Sequence, residues 1–220
     1  ERFMRLRHIP GAEEESAGSP YVIQNPREYR GRWALAFGDQ DPVVIEVGMG
    51  KGKFLMELAA ANPHINYVGI EMYSSVLLKA IRKREETRLS NLWFLRVDAR
   101  TLADIFDFGE VDKIYLNFSD PWPKERHAKR RLTSPEFMAV YDKILKAGGT
   151  VEFKTDNRDL FDYSLESIPR AGWTVQMCTF DLHHSPYIEG NVMTEYETKF
   201  AGEGKPICKL IAGRKAPLTI

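Results

Sequence analysis

The stretch Val43–Phe54 reads VVIEVGMGKGKF. A short run of β-branched residues, broken by one acid, leads into a turn in which Gly48, Gly50 and Gly52 alternate with Met49 and Lys51. The segment KFLMELAAAN that follows has helical apolar spacing. A strand that ends in a glycine turn and opens a helix is the first unit of a doubly wound α/β fold. Glycines in that turn let the backbone bend sharply and approach a ligand closely. The spacing is G-x-G-x-G, and Lys53 stands where a dinucleotide fold places its last Gly or Ala. Alone, the turn fits a purely structural bend as well as a ligand site.

The same texture continues on the C-terminal side. Apolar runs at Asn66–Glu71, Leu92–Asp98, Lys113–Phe118 and Thr150–Thr155 alternate with SSVLLKAIRKREE and SPEFMAVYDKILKAGG, both of helical period. Lys146 to Gly149 reads as a helix stop. The runs Trp173–Phe180 and Pro206–Gly213 alternate as strands do. The predicted fold is α/β: a doubly wound, mostly parallel seven-stranded sheet with helices on both faces and an antiparallel edge near the C-terminus. Residues 33–220 are expected to form one domain. Residues 1–32 read as an irregular basic N-terminal arm carrying Arg2, Arg5, Arg7 and His8.

Composition excludes some partners. The chain has 220 residues, 43% of them hydrophobic, which suits one sizeable core. Lys and Arg number 31, as do Asp and Glu, so any nucleic-acid site must come from local clustering rather than bulk charge. No apolar run approaches the roughly 20 residues of a membrane span. The segment ERFMRLRHIPGAEEE has no apolar leader, so a cytoplasmic protein is expected. Cys178 and Cys208 read as buried free thiols. No ligand spacing suggests a metal, and the sequence leaves monomer and homodimer both open.

Three acids sharpen the glycine turn. Glu46 lies inside the first strand, Glu71 ends the second, and Asp98 ends the third and is followed by Ala99. A carboxylate at the end of the second strand is placed to take both hydroxyls of a ribose. Asp98 with Ala99 is a setting that reads an adenine amino group. An acid beside the turn opposes a pyrophosphate by charge, which argues against a dinucleotide. It suits a cofactor with a sulfonium and an ammonium, S-adenosylmethionine. The E-x-G-x-G-x-G turn, with acids ending the next two strands, resembles the class I methyltransferases, Rossmann-like in fold.

The fourth strand ends in YLNFSDPWPKERHAKRR (Tyr115–Arg131). Asp120-Pro121-Trp122-Pro123 is a stiff turn, because proline fixes φ. It is similar to the Asp-Pro-Pro-Tyr signature of amino methyltransferases, with a different order. The cations Lys124, Arg126, Lys129, Arg130 and Arg131 follow, beside the expected methyl site, and suit phosphate contact. With FKTDNRDLFDYS (Phe153–Ser164), MTEYETKF (Met193–Phe200) and RLRHIPGA near the start, these motifs resemble the bacterial tRNA (guanine-N7)-methyltransferase family over nearly the whole chain. The resemblance implies that Glu46, Glu71, Asp98 and Asp120 contact S-adenosylmethionine, with Asp120 also catalytic; the glycine turn and the third strand end add Gly48, Gly50 and Ala99 to the expected cofactor site. It implies that Lys124, Asp156, Thr194, Glu195, Tyr196 and Glu197 bind the substrate nucleotide. It further implies that Arg126, His127, Lys129, Arg130 and Arg131 contact RNA, and that the target is guanine 46 of the tRNA variable loop.

The chemistry agrees with these residue types. Guanine N7 carries a lone pair and no proton, so its methylation needs positioning rather than a general base. Carboxylates beside the ring stabilise the positive charge it acquires. Asp156, Glu195 and Glu197 are candidates to accept from the guanine N1–H and N2–H₂ groups, and Trp122, Tyr187 and Tyr196 to stack on an extruded base. His183 and His184 are candidate phosphate contacts. Two other readings fit parts of the pattern: an amino methyltransferase on nucleic-acid bases, from the Asp-Pro-Trp-Pro turn, and a non-catalytic RNA-binding module that keeps the fold as a scaffold.

Overall fold

The computed structural model of the chain describes residues 7–214. Its parallel strands are β1 (Val43–Val47), β2 (Asn66–Ile70), β3 (Leu92–Leu95), β4 (Val111–Asn117) and β5 (Leu145–Thr155). β6 (Trp173–Thr179) and β7 (Cys208–Arg214) complete one seven-stranded sheet of order β3-β2-β1-β4-β5-β7-β6. β7 runs antiparallel to both β5 and β6. Every residue of β1 and β2 is buried, as parallel strands covered on both faces require.

The helices are α1 (Ala12–Ala17), α2 (Trp33–Phe37), α3 (Lys53–Ala61), α4 (Ser74–Glu85), α5 (Leu102–Ile105), α6 (Pro135–Ile144), α7 (Arg158–Arg170) and α8 (Glu195–Gly202). Phe54 and Leu55 of α3 and Leu77 and Ile81 of α4 pack on one sheet face with Val44, Tyr67 and Phe94. Phe137, Tyr141 and Phe161, from α6 and α7, fill the other face with Ile45, Ile114 and Phe153. Side chains alternate along a strand, so one strand feeds both cores.

Three expectations need correction. Residues 7–32 are not simply an irregular arm. α1 packs on α4, and Val22 bridges Phe94 in parallel at the β3 edge, with Tyr21 O and Ile23 N–H bonded to Phe94 at 2.9 and 3.0 Å. Ala12, Ser16 and Val22 are buried, so this segment covers an otherwise open sheet edge. Arg2 and Arg5 lie outside the described residues. Lys146 to Gly149 belongs to β5 rather than to a helix end. α6 stops at Ile144, and Gly149 lies so close to the Asp112 carbonyl that a Cβ there would sit 2.8 Å from it. Cys178 is exposed, because β6 is an edge strand with one face in solvent, whereas Cys208 is buried; both are free thiols.

Gly69, in β2, makes room for the glycine turn. A Cβ on Gly69 would collide with the Met49 sulfur and sit 3.0 Å from Leu55 and 3.2 Å from Phe94. Overpacking at so filled a point costs about 1–3 kcal/mol. Gly69→Ala is expected to lower unfolding stability by that amount in a urea titration, whereas Gly202→Ala, with open space around it, leaves the midpoint unchanged or raises it.

Candidate active site

β1 and β4 pair directly although β2 and β3 intervene in the chain, so strand order reverses between them and a crevice forms at their carboxyl ends. Glu46 pairs in register with Tyr115, and its carboxylate reaches Asn117, whose Nδ2 donates to Oε2 at 2.7 Å. Three neighbouring polar atoms, Glu46 Oε1, Asn117 Oδ1 and Ser119 Oγ, are buried without a hydrogen-bond partner. Burial pushes the Glu46 carboxyl up to about 8, against the lowering effects of the Asn117 bond and the Lys154 charge. Unpartnered acceptors beside a carboxylate suit a ligand that brings N–H donors and positive charge. The ammonium of S-adenosylmethionine fits that donor set.

The glycine turn closes one wall. Gly48, Gly50 and Gly52 have φ of 74°, 61° and 81°, a region that costs other residues strain. The Gly48 and Met49 N–H groups both donate to Ile70 O, at 2.9 and 3.0 Å. Gly50 N–H donates to Glu71 Oε1 at 3.2 Å, and Tyr73 N–H to Glu71 Oε2 at 3.3 Å. Glu71 is buried, and its carboxyl rises to about 6, chiefly through desolvation, with Asp120 adding to the rise. Asp98 sits further out. It caps the 3-10 turn Ala99–Thr101 and is hydrogen-bonded to Arg100 through the Arg100 backbone N–H and guanidinium, and the guanidinium bond holds it below the usual carboxylate range.

The opposite wall is the Asp120–Pro123 turn. Phe118 and Trp122 have φ of 52° and 43°, strained values for non-glycine residues. Arg131 holds the turn from behind, donating to Pro121 O at 3.2 Å and to Trp122 O at 3.0 Å while stacking over Tyr163. Its side chain is only 6% exposed, so Arg131 braces the turn and is not available to RNA as the sequence suggested. Lys124, Arg126, Lys129 and Arg130 are exposed on the 3-10 turn Glu125–Arg130 and its cap, with Arg130 4.9 Å over the Trp122 ring and His127 against its edge. Asp120 is exposed at the turn, yet the desolvation it does experience raises its pKa.

The third wall is the segment before and within α8. Thr194 caps the helix, accepting from Glu197 N–H at 3.0 Å. Tyr196 is 46% exposed and lies between Phe118, at 6.3 Å, and Phe200, at 5.8 Å. Its phenol is pushed up by burial and by the charges of Asp120 and Asp156, which places both acids close by. Glu195 pairs with Lys83 of α4. Glu197 departs from expectation. Its side chain is fully buried and bonded to Lys154, Asn191 and His183, so it does not face a base.

Glu46, Glu71, Asp120, Asp156, Glu195 and Tyr196 therefore lie within reach of one another's charges near the carboxyl ends of the strands, with Gly48 and Gly50 in the adjoining turn; Lys124, Arg126, Lys129 and Arg130 follow Asp120 on an exposed turn. His184 turns away to Asp181, and Tyr187 is exposed on the loop before α8. Asn117, Ser119 and Lys154 escaped the sequence reading. For Lys154 the signal was present, as a lysine inside the apolar run VEFKT. Among the described residues no helix is long and apolar enough to cross a membrane.

A profile for putative methyltransferases matches residues 40–210. A tRNA (guanine-N(7)-)-methyltransferase of Lachnoclostridium phytofermentans is 59% identical over 212 residues, 96% of this chain and 99% of that one. The chain belongs to the tRNA (guanine-N7)-methyltransferase family. The Bacillus subtilis relative of the same name is 48% identical over 93% of this chain and 96% of its own length. Among solved structures, an antibiotic-related methyltransferase superposes with TM-score 0.63 at 19% identity, covering 84% of this chain and 94% of its own. The 16S rRNA methyltransferase KamB gives 0.62 at 15% identity, covering 85% and 94%. At such identities these structures share the fold, and the family's Rossmann-like sheet is the one described above.

The raised Glu46 pKa has a consequence for stability. A carboxyl whose pKa is higher folded than unfolded contributes its full stability below the unfolded value of 4.5 and loses it as pH rises through about 8. Glu46→Gln removes the titration. The variant is expected to melt about 5–10 °C above the ligand-free wild type at pH 9, with the gap closing towards pH 5. An equal gap at both pH values in calorimetry contradicts the assignment.

Proposed function

We propose that the protein methylates N7 of guanine 46 in the variable loop of cytoplasmic tRNA. The observation that supports it most is near-full-length identity to enzymes of that name, at 59% for one relative, in a chain whose acids converge on one crevice. S-adenosylmethionine is the cofactor and supplies a sulfonium methyl group when bound.

Glu46 and Asn117 take the cofactor's ammonium through their unpartnered oxygens. Glu71 is placed for the ribose hydroxyls, and Gly48 and Gly50 allow close backbone approach. Asp98 and Ala99, further out, would hold the adenine. A 16S rRNA (adenine-N1)-methyltransferase from Catenulisporales acidiphilia with the same fold was solved with S-adenosylmethionine, at TM-score 0.60 and 16% identity.

N7 has no proton to lose, so these residues need only to bind, orient and exclude water. Asp120, whose charge is felt by both Glu71 and Tyr196, would put negative charge beside the base as the purine becomes cationic. Tyr196, half exposed over Phe118, offers a ring on which the extruded guanine stacks. Asp156 and Glu195 are the acceptors for the guanine N1–H and N2–H₂ edge, since Glu197 is fully engaged elsewhere. Lys124, Arg126, Lys129 and Arg130 contact phosphates.

Wild-type protein with labelled cofactor and an unmodified transcript carrying guanosine 46 is expected to yield 7-methylguanosine on digestion, and none with adenosine at that position. An N6-methyl product instead identifies an amino methyltransferase. Asp120→Ala is expected to lower kcat by about 10²–10³ while tRNA affinity stays within a few-fold. Full turnover by Asp120→Ala contradicts its catalytic role, and an absence of turnover by wild type identifies a binding module.

A further inference from the structure

Lys154 lies near the end of β5 with a side chain 4% exposed. Its ammonium has three hydrogens, and all three go to one segment: Asn191 Oδ1 at 3.1 Å, Val192 O at 2.8 Å and Glu197 Oε2 at 2.8 Å. The Phe54 ring lies 5.2 Å from Nζ and shields it. Glu197 is fully buried, and its other oxygen accepts from Asn191 Nδ2 at 3.0 Å and meets His183 Nε2 at 3.1 Å. Asn191 thus bridges both ions, and the segment closes around one buried ion pair. Two further lysines touch α8 from outside: Lys53 donates to Thr198 at 3.2 Å, and Lys83 pairs with Glu195. Those side chains are exposed enough for solvent to compete.

We propose that Lys154 is a positioning residue that holds segment 191–197, and with it Glu195 and Tyr196, in place to receive the guanine, and that Glu197 is its counter-ion rather than a reader of the base. The proposal rests on the functional reading above. It follows from where the hydrogen bonds go. A base reader needs an open acceptor, and Glu197 has none in water. A phosphate-binding lysine needs a free donor, and Lys154 has none. Their joint product is the placement of the helix start that carries Glu195 and Tyr196.

Removing one member leaves a buried charge unpaired, so single variants lose stability as well as placement. The informative variant is therefore Lys154→Met with Glu197→Gln, measured beside both singles in the full chain. Hydrogen–deuterium exchange is expected to quicken at least tenfold in peptides spanning 189–200. The KM for tRNA is expected to rise tenfold or more, with kcat and the cofactor Kd each within threefold of wild type. The double variant is expected to be no worse than the worse single, because the pair acts as a unit. A wild-type KM for tRNA in the folded double variant overturns the proposal, whether or not exchange quickens. So does a cofactor Kd that weakens in step with the KM, which puts the action of Lys154 on Glu46, and so does loss of turnover in Glu197→Gln alone with Lys154→Met unaffected. If wild type produces no 7-methylguanosine, the functional reading fails on its own. The exchange rates then still decide whether Lys154 holds the segment: unchanged rates overturn the clamp, and faster rates uphold it.

Discussion

The parallel pairing of β1 with β4 puts a carboxylate where water cannot reach it. Glu46 meets Asn117 across that pairing, and one bond at 2.7 Å satisfies only one of the carboxylate oxygens. Leaving a buried acceptor unpaired costs about 1–3 kcal/mol, more for a charged group. Asn117 Oδ1 and Ser119 Oγ are likewise buried without a partner, so three polar atoms are left unsatisfied here. The glycine turn then has to leave a path to these atoms. That is why three left-handed glycines stand there and why Gly69 behind them has no side chain for Met49 to meet.

An enzyme for a polyanion that gathers Glu46, Glu71, Asp120, Asp156 and Glu195 in one crevice faces a problem of repulsion. Burial answers part of it. Desolvation raises Glu46 to about 8 and Glu71 to about 6, so in the absence of ligand the deepest acid is largely neutral at pH 7. Position answers the rest. The cations Lys124, Arg126, Lys129 and Arg130 stand exposed on the turn that follows Asp120, whereas Glu46 and Glu71 are buried and Asp156 and Glu195 partly so. Net zero charge over the chain conceals this division.

The sheet was legible in the sequence because its signals are local. Apolar runs with a period of two or none, separated by helical spacing, give seven strands, and β6 and β7 alternate as an antiparallel edge should. Glu46 within β1, Glu71 just after β2 and Asp98 three residues past β3 were legible in position for the same reason, since strands are readable and the switch point follows from topology. Burial was not legible. Arg131 and Arg130 are adjacent in an unbroken basic run, yet one lies under Trp122 O and Tyr163 while the other is open to solvent. Glu195 and Glu197 share a motif, but a helix turns adjacent odd positions by about 200°, so one meets an exposed lysine and the other a buried one. The segment at residues 12–17 read as polar and irregular because its helix buries only Ala12 and Ser16.

Phe118 ties the two halves of the site together. Its φ of 52° is a conformation that a bulky residue adopts only under compulsion, at a cost on the order of 1–3 kcal/mol. Phe118 N–H still bonds to Lys154 O at 2.8 Å, so β4 stays paired with β5 up to the point where it turns. The strained backbone then delivers the ring to Tyr196 on one side and starts the turn to Asp120 on the other. The same Lys154 whose carbonyl anchors Phe118 sends its ammonium to the segment that carries Tyr196. One residue of β5 thus fixes both partners of the aromatic stack, its backbone holding the start of the Asp120 turn and its side chain the segment before α8. Both partners are thereby referred to the same point of the sheet, which sets the Phe118 ring and the segment carrying Tyr196 relative to one another.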